Sequence, residues 1–181
     1  MTASRKSGLR QLMREDMAIW AMRSGREPGF GFWLRHLLLR PGFHFVVCQR
    51  TAQALSKVPI VGLPAAKLVA ALTRLLFASR IGLTTRIAGG LYTPHPFGIE
   101  IDEGVAIGAG VTVLQNTSLG SESAGVPVIG DGVYLGAGCR VSGPVMLGAR
   151  ATVGANADIR CDVPQGAIAV GRPARLILPE A

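Results

Sequence analysis

The chain has 181 residues, 49% hydrophobic and only 6% aromatic, so it is long enough for one domain with an appendage and apolar enough for a large core. Its three cysteines, Cys48, Cys139 and Cys161, are widely spaced, which excludes a disulfide framework and a zinc-binding spacing. The net charge of +8 comes from residues 1–80, which hold 13 Lys/Arg against 3 Asp/Glu.

The uneven charge admits several interpretations. A basic part suits an anionic membrane surface, an acidic partner or nucleic acid, although solvated helix faces are the commoner explanation. Nucleic acid is disfavoured because this part lacks aromatic stacking platforms. The longest apolar stretch, residues 58–78, is interrupted by prolines and charges, and the first 18 residues lack the apolar core of a secretory signal. We therefore expect a cytoplasmic protein with no transmembrane helix.

Apolar residues at helical spacing predict four helices in the N-terminal part, after a disordered stretch at residues 1–8. The helices are expected at residues 9–24, 30–39, 43–57 and 65–78, separated by glycine and proline turns. In the fourth helix Lys67, Thr73 and Arg74 share one side and the other sides are apolar. This helix is expected to pack against the rest of the chain or a partner, or to lie on a membrane.

After residue 80 the period changes, and an aliphatic residue returns every six positions. Six-residue periodicity is typical of a parallel β-helix built from hexapeptides. The repeat positions are Ile81, Ile87, Ile101, Ile107, Val113, Leu119, Ile129, Leu135, Val141, Leu147, Val153 and Ile159. The predicted organisation is a helical N-terminal domain at 1–80, the β-helix at 81–171 and a C-terminal tail at 172–181.

From Ile107 onward, the residue two positions before each repeat residue is also predicted to point inward. All of these are compact, as a narrow prism requires. They are Val105, Val111, Thr117, Pro127, Val133, Cys139, Val145, Ala151 and Ala157. Cys139 is therefore interpreted as a core residue rather than a reactive thiol.

The repeat is interrupted twice, and interruptions are where a function is expected. Four extra residues follow Leu119, and the interval between Ile87 and Ile101 is two residues longer than two repeats. The longer interval contains His95 between Pro94 and Pro96. An imidazole held rigidly between prolines suits a general base, but a structural histidine bonded to backbone carbonyls explains the pattern equally well.

The chain resembles the serine acetyltransferase branch of the left-handed β-helix hexapeptide acyltransferases. The resemblance covers most of the chain and includes several motifs. These are Glu27-Pro28, Pro41-Gly42-Phe43-His44 with Arg50, Gly90-Leu91-Tyr92 before His95, Val113-Leu114-Gln115-Asn116-Thr117, and Gly171-Arg172-Pro173-Ala174-Arg175. It implies a left-handed β-helix that binds acetyl-CoA as co-substrate, with no metal, in a homotrimer or a dimer of trimers whose active sites lie between subunits.

The resemblance also implies roles for individual residues. His95 would deprotonate the acceptor hydroxyl, Glu27 would bind the acceptor, and a backbone N–H of Gly120 or Ser121 would stabilise the thioester oxygen. Ala137, Gly138 and Ala155 would leave backbone accessible to the pantetheine arm of acetyl-CoA. Arg172 and Arg175 would meet its phosphates, although ordinary solvated charge explains these two arginines equally well.

Several positions depart from the family pattern. The aspartate that supports the catalytic histidine is replaced by Arg80, and the acidic residue before that histidine by Pro94. The Arg-His pair that helps hold serine corresponds to Gly125-Val126. Glu100 or Asp102 remains as a candidate to orient His95.

These departures favour an acetyl-CoA-dependent O-acetyltransferase acting on a sugar of an exopolysaccharide or lipid-linked precursor. The basic N-terminal helices would then contact the inner membrane peripherally. One alternative is a serine O-acetyltransferase of cysteine biosynthesis, although the chain ends in Pro179-Glu180-Ala181 rather than the isoleucine of that family's tail. Another alternative is a non-catalytic trimeric β-helix scaffold.

Overall fold

The computed structural model describes residues 8–25, 27, 29–120 and 125–178, with the backbone alone at positions 33, 37 and 38. Four helices come first: α1 (Leu9–Ser24), α2 (Phe30–Leu39), α3 (Pro41–Leu55) and α4 (Gly62–Phe77). Helices α3 and α4 begin two and three residues earlier than predicted. The reason is that Pro41 and Pro64 lie in first turns, where a proline needs no backbone hydrogen bond. The predicted disordered stretch, apart from Gly8, lies outside the described residues.

Fourteen short strands follow the helices. They are β1 (Arg80–Ile81), β2 (Arg86–Ile87), β3 (Glu100–Ile101), β4 (Ala106–Ile107), β5 (Thr112–Val113), β6 (Ser118–Gly120), β7 (Val128–Ile129), β8 (Tyr134–Leu135), β9 (Arg140–Ser142), β10 (Met146–Leu147), β11 (Thr152–Val153), β12 (Asp158–Ile159), β13 (Ile168–Val170) and β14 (Arg175–Ile177).

The strands form the three faces of a prism, which the chain visits in rotation. Face A has the order β1-β3-β6-β9-β12, face B the order β10-β7-β4-β2, and face C the order β14-β13-β11-β8-β5. Neighbouring coils pair in parallel, and only the last strand, β14, runs antiparallel to β13 within the described chain. The parallel β-helix predicted from the six-residue period is confirmed.

The interior of the prism is filled by the predicted inward residues. On face A the strand register stacks Ile81, Ile101, Leu119, Val141 and Ile159 directly above one another. All five are buried, and so is every other predicted inward residue. Burial of these compact, mostly apolar side chains supplies most of the free energy that stabilises the repeat fold.

A buried ion pair attaches the helices to the prism. Arg50 of α3 donates from Nε and Nη2 to the two carboxylate oxygens of Asp16 of α1, at 2.8 and 2.9 Å. Its Nη1 donates to the carbonyl of Ile87 at 2.7 Å, and Asp16 accepts the backbone N–H of Leu91 at 2.9 Å. Both side chains are at most 2% exposed, so the two charges are removed from water. The hydrogen bonds between them and to the backbone compensate for this loss of hydration.

Helix α4 packs on one side only. Ala66, Thr73 and Phe77 are buried, whereas the opposite side exposes leucines. These leucines are Leu68, Leu72, Leu75 and Leu76, which are 50 to 81% exposed. Among the described residues, no helix is both long enough and apolar enough to cross a membrane.

Candidate active site

His95 lies on the corner of the prism between faces C and A. Tyr92 pairs with Thr112 one coil further on, and Asn116 donates its N–H to the carbonyl of Phe97 at 2.9 Å. This bond puts Gly98 in register with Asn116, just as Tyr92 is in register with Thr112. Five residues lie between Tyr92 and Gly98, whereas only three lie between Thr112 and Asn116 in the next coil. The two extra residues form a bulge, and His95 is exposed on it.

Both ends of the bulge are fixed by buried groups. On one side the Ser79 hydroxyl lies 2.7 Å from the carbonyl of Pro96 and accepts the N–H of Ile99 at 2.9 Å. On the other side Thr93 donates from its hydroxyl to the carbonyl of Gly42 at 3.3 Å. Gly42 is required there because a Cβ would overlap the carbonyl oxygen of Thr93. The imidazole of His95 is thus exposed on a loop whose flanks are anchored in the core.

Four of the five residues predicted to bind acetyl-CoA stack on this same corner. Gly138 donates its N–H to the carbonyl of Gln115 at 2.9 Å, and Asn156 donates to Ala137 at 2.8 Å. Arg172 follows Gly171, which accepts the N–H of Asp158 at the top of the stack. The corner therefore carries His95, Ala137, Gly138, Ala155 and Arg172 in one column.

Glycine and asparagine alternate from coil to coil along this column, at Gly98, Asn116, Gly138 and Asn156. Gly138 has φ +69°, and a Cβ there would overlap the side-chain oxygen of Asn156. Asn116 and Asn156 adopt left-handed backbone with φ 58° and 56°, a conformation that asparagine tolerates better than most residues.

The remaining predicted site residues lie elsewhere. Gly120 ends β6 at the opposite edge of face A from the His95 corner, and Arg175 lies on β14 at face C. Glu27 is exposed in the link between α1 and α2. Ser121 lies outside the described residues, as do most of the four inserted residues after Leu119. A single chain does not bring Gly120 to the His95 corner.

Face A carries an ion pair that reaches the edge where Gly120 lies, since Asp102 donates its N–H to the carbonyl of Leu119 and is in register with Gly120. Arg80 donates from Nη2 to Oδ1 of Asp102 at 2.7 Å, and the side chains are 44% and 35% exposed. Asp102, one of the two candidates to orient His95, thus engages Arg80. Sequence reasoning missed Ser79, although this residue stands two positions before Ile81, the spacing of the predicted inward residues. It also gave no role to Asp16, although a carboxylate in an otherwise apolar helix face is a recognisable sign of a buried pair.

Comparisons with known proteins agree with this architecture. Residues 127–160 match the family model described as bacterial transferase hexapeptide (six repeats). The chain is 34% identical over 145 residues to a serine acetyltransferase of Helicobacter pylori, a match that covers 78% of this chain and 84% of that relative.

Solved structures extend the similarity to most of the chain. A Neisseria gonorrhoeae serine acetyltransferase in complex with serine superposes with a TM-score of 0.82 at 25% identity, covering 94% of this chain and 69% of the other. A serine acetyltransferase in complex with CoA gives a TM-score of 0.81 at 27% identity, covering 93% and 70%.

The fold and the matches define a hexapeptide-repeat acyltransferase with a left-handed β-helix. More narrowly, the chain belongs to the serine acetyltransferase family, and it is an acetyl-CoA-dependent O-acetyltransferase. The predicted sugar acceptor in an exopolysaccharide or lipid-linked precursor is wrong, because the Helicobacter pylori relative and both superposed structures are serine acetyltransferases. The few substituted positions, such as Arg80 and Gly125, do not outweigh similarity along most of the chain.

Proposed function

We propose that this protein transfers the acetyl group of acetyl-CoA to the hydroxyl of L-serine. The observation that carries the proposal is the similarity to the Helicobacter pylori serine acetyltransferase, which spans most of both chains. The products are O-acetylserine and CoA, which places the enzyme in cysteine biosynthesis, the alternative considered from the sequence.

His95 is proposed as the general base. A serine hydroxyl is a weak nucleophile near neutral pH until a base takes its proton, and an exposed imidazole on an anchored bulge suits that task. The deprotonated oxygen attacks the thioester carbonyl carbon, the tetrahedral intermediate collapses, and the CoA sulfur leaves with the proton. Ala137, Gly138, Ala155 and Arg172 are proposed to line the acetyl-CoA site, because they continue the His95 corner along the prism axis.

We further propose that a second copy of the chain completes the site, in a homotrimer or a dimer of trimers. Gly120, the proposed oxyanion donor, lies across face A from the His95 corner of its own chain. A neighbouring prism would bring its Gly120 to that corner, and Arg175 and Glu27 would join the site in the same assembly. Light scattering of the purified protein should give three or six times the chain mass. A monomer that retains full activity would contradict this arrangement.

The exposed side of α4 is proposed to contact an anionic membrane surface. Its leucines are flanked by the exposed Lys67 and Arg74, and no Asp or Glu occurs between Glu27 and Glu100. Sedimentation with vesicles containing anionic lipid should remove the protein from solution at low salt, and Leu72→Gln should weaken this binding. Equal recovery with and without vesicles would overturn the proposal.

The proposed activity is tested with a panel of acceptors. The protein is incubated with acetyl-CoA and L-serine, L-homoserine, L-threonine or a nucleotide sugar, and products are identified by mass spectrometry. We expect O-acetylserine to form with the highest kcat/KM. Turnover of another acceptor far above that of serine would overturn the proposed substrate and leave the acetyl-CoA part of the assignment intact.

A further inference from the structure

Gln115 lies on the His95 corner, one coil beyond the bulge. The next residue, Asn116, donates its N–H to the carbonyl of Phe97 at 2.9 Å, so Gln115 and Phe97 are neighbours at the strand spacing of about 4.8 Å. His95 stands two residues before Phe97, which keeps the Cα atoms of His95 and Gln115 within about 12 Å of each other. An imidazole and a glutamine side chain can therefore contact one small group that lies between them.

Gln115 is the one polar side chain in a column that continues with alanine. The backbone hydrogen bonds of this corner place Gln115, Ala137 and Ala155 at the same point of three successive coils. The two alanines are proposed to line the acetyl-CoA site, and Gln115 stands at the end of their column that meets the His95 bulge. The thioester must lie at this end, because the hydroxyl that His95 deprotonates attacks it. The turn itself does not require a glutamine, since alanine occupies the same point in the next two coils.

The carboxamide of Gln115 does not hold the corner together. Its oxygen, Oε1, is buried and has no hydrogen-bond partner among the described residues. Its nitrogen, Nε2, is accessible to solvent and likewise makes no hydrogen bond to the described part of the chain. A buried amide oxygen without a donor lowers stability, so packing does not explain a glutamine here. The side chain instead leaves two N–H donors uncommitted at the His95 corner.

Acyl transfer needs donors for the thioester oxygen. When the serine oxygen bonds to the carbonyl carbon, an electron pair moves to the carbonyl oxygen, which becomes negative. Its return breaks the C–S bond, and the CoA sulfur takes the proton that His95 removed from the hydroxyl. Preorganised N–H groups of the backbone or of glutamine side chains stabilise such an oxyanion. Gly120 is proposed to supply one donor from a neighbouring chain, whereas Gln115 lies on the same corner as the base.

Resting on the proposed function, we infer that the side-chain N–H groups of Gln115 donate to the thioester oxygen of acetyl-CoA as its negative charge develops. Gln115 is then a catalytic residue, and the Gly120 N–H of a neighbouring copy is the second donor. The oxyanion is the same whichever hydroxyl attacks, so this role affects the rate of transfer and not the choice of acceptor.

The test compares Gln115→Met with the matched control Gln165→Met. Gln165 is exposed at the equivalent point of its own coil, on the corner between faces B and C. Gln115→Met should lower kcat with L-serine about 10²- to 10³-fold, the loss expected when one oxyanion donor is removed. The Kd for CoA should not change, because CoA lacks the acetyl carbonyl, and the midpoint of urea unfolding should not fall. Gln165→Met should change none of these values.

Gln115→Glu distinguishes a donor from an acceptor. Glutamate keeps the size of the side chain but has no N–H, so it should lose at least as much kcat as Gln115→Met. Retained kcat in Gln115→Glu would overturn the inference, and so would a weaker Kd for CoA with unchanged kcat in Gln115→Met, or equal losses in Gln115→Met and Gln165→Met. In each of these cases serine acetylation by the unaltered protein stands. Absence of acetyl transfer from the unaltered protein to any acceptor would overturn the proposed function and this inference together.

Discussion

At the scale of single residues, Ser79 has the most defined role near the site. Its side chain is 1% exposed, contacts the carbonyl of Pro96 at 2.7 Å and that of Phe77 at 3.0 Å, and accepts the N–H of Ile99. Ser79→Ala would leave buried backbone groups without partners, which costs about 1–3 kcal/mol of unfolding free energy. It would also let the His95 bulge shift.

We therefore expect Ser79→Ala to lower kcat by up to about 100-fold while the Kd for acetyl-CoA stays unchanged. Thr73→Val is the matched control, since the Thr73 hydroxyl is buried in α4 and bonds only the carbonyl of Val69 among the described residues. Comparable losses of kcat in the two variants would show that Ser79 acts through general stability.

Cys139 shows how the prism interior controls chemistry. Burial raises the pKa of its thiol from 9.0 to about 11, against a smaller opposing effect of the Thr117 hydroxyl. Folding favours the protonated thiol. The contribution of Cys139 to the unfolding free energy is therefore fully present below pH 9 and is lost as pH rises from 9 to about 11. Urea unfolding at pH 8 and pH 10.5 should show a drop in unfolding free energy that is smaller in Cys139→Ala. Equal drops in the two proteins would contradict this account.

At the scale of elements, the docking of α1 and α3 on the first coils depends on the Asp16–Arg50 pair. Asp16→Asn leaves a buried guanidinium without its counter-charge, which is expected to cost about 3–5 kcal/mol of unfolding free energy. Urea unfolding measures this loss. Arg10→Met, at an exposed position of the same helix, should change the unfolding free energy by less than about 0.5 kcal/mol. A similar small change for Asp16→Asn would mean that the pair does not anchor the helices.

The elements themselves were largely predictable from sequence, for a physical reason. A period of six residues determines which side chains point inward. The spacing of Ile101, Ile107, Val113 and the later repeat residues was therefore enough to predict the β-helix and its core. Helix starts were less predictable, since Pro41 and Pro64 resemble helix breakers but lie in first turns. The clamps on the His95 bulge were not predictable, because Ser79 and Gly42 meet it only through tertiary packing.

At the scale of the whole molecule, the fold brings one column of the proposed site together and leaves another part separate. His95 and the corner residues Ala137, Gly138 and Ala155 align along the prism, whereas Gly120 lies at the other edge of face A. The acceptor was the least predictable feature. A few altered residues, such as Arg80 and Gly125, suggested a sugar, and similarity over the whole chain corrected this to the serine acetyltransferase family.

The most direct test of the account is acetyl transfer from acetyl-CoA to L-serine by the unaltered protein and by His95→Ala. We predict that the unaltered protein forms O-acetylserine and that His95→Ala loses about 10²- to 10⁴-fold in kcat, as expected for removal of a general base. Calorimetry should show unchanged binding of CoA by the variant. Undiminished formation of O-acetylserine by His95→Ala would contradict the proposed catalytic role of this histidine.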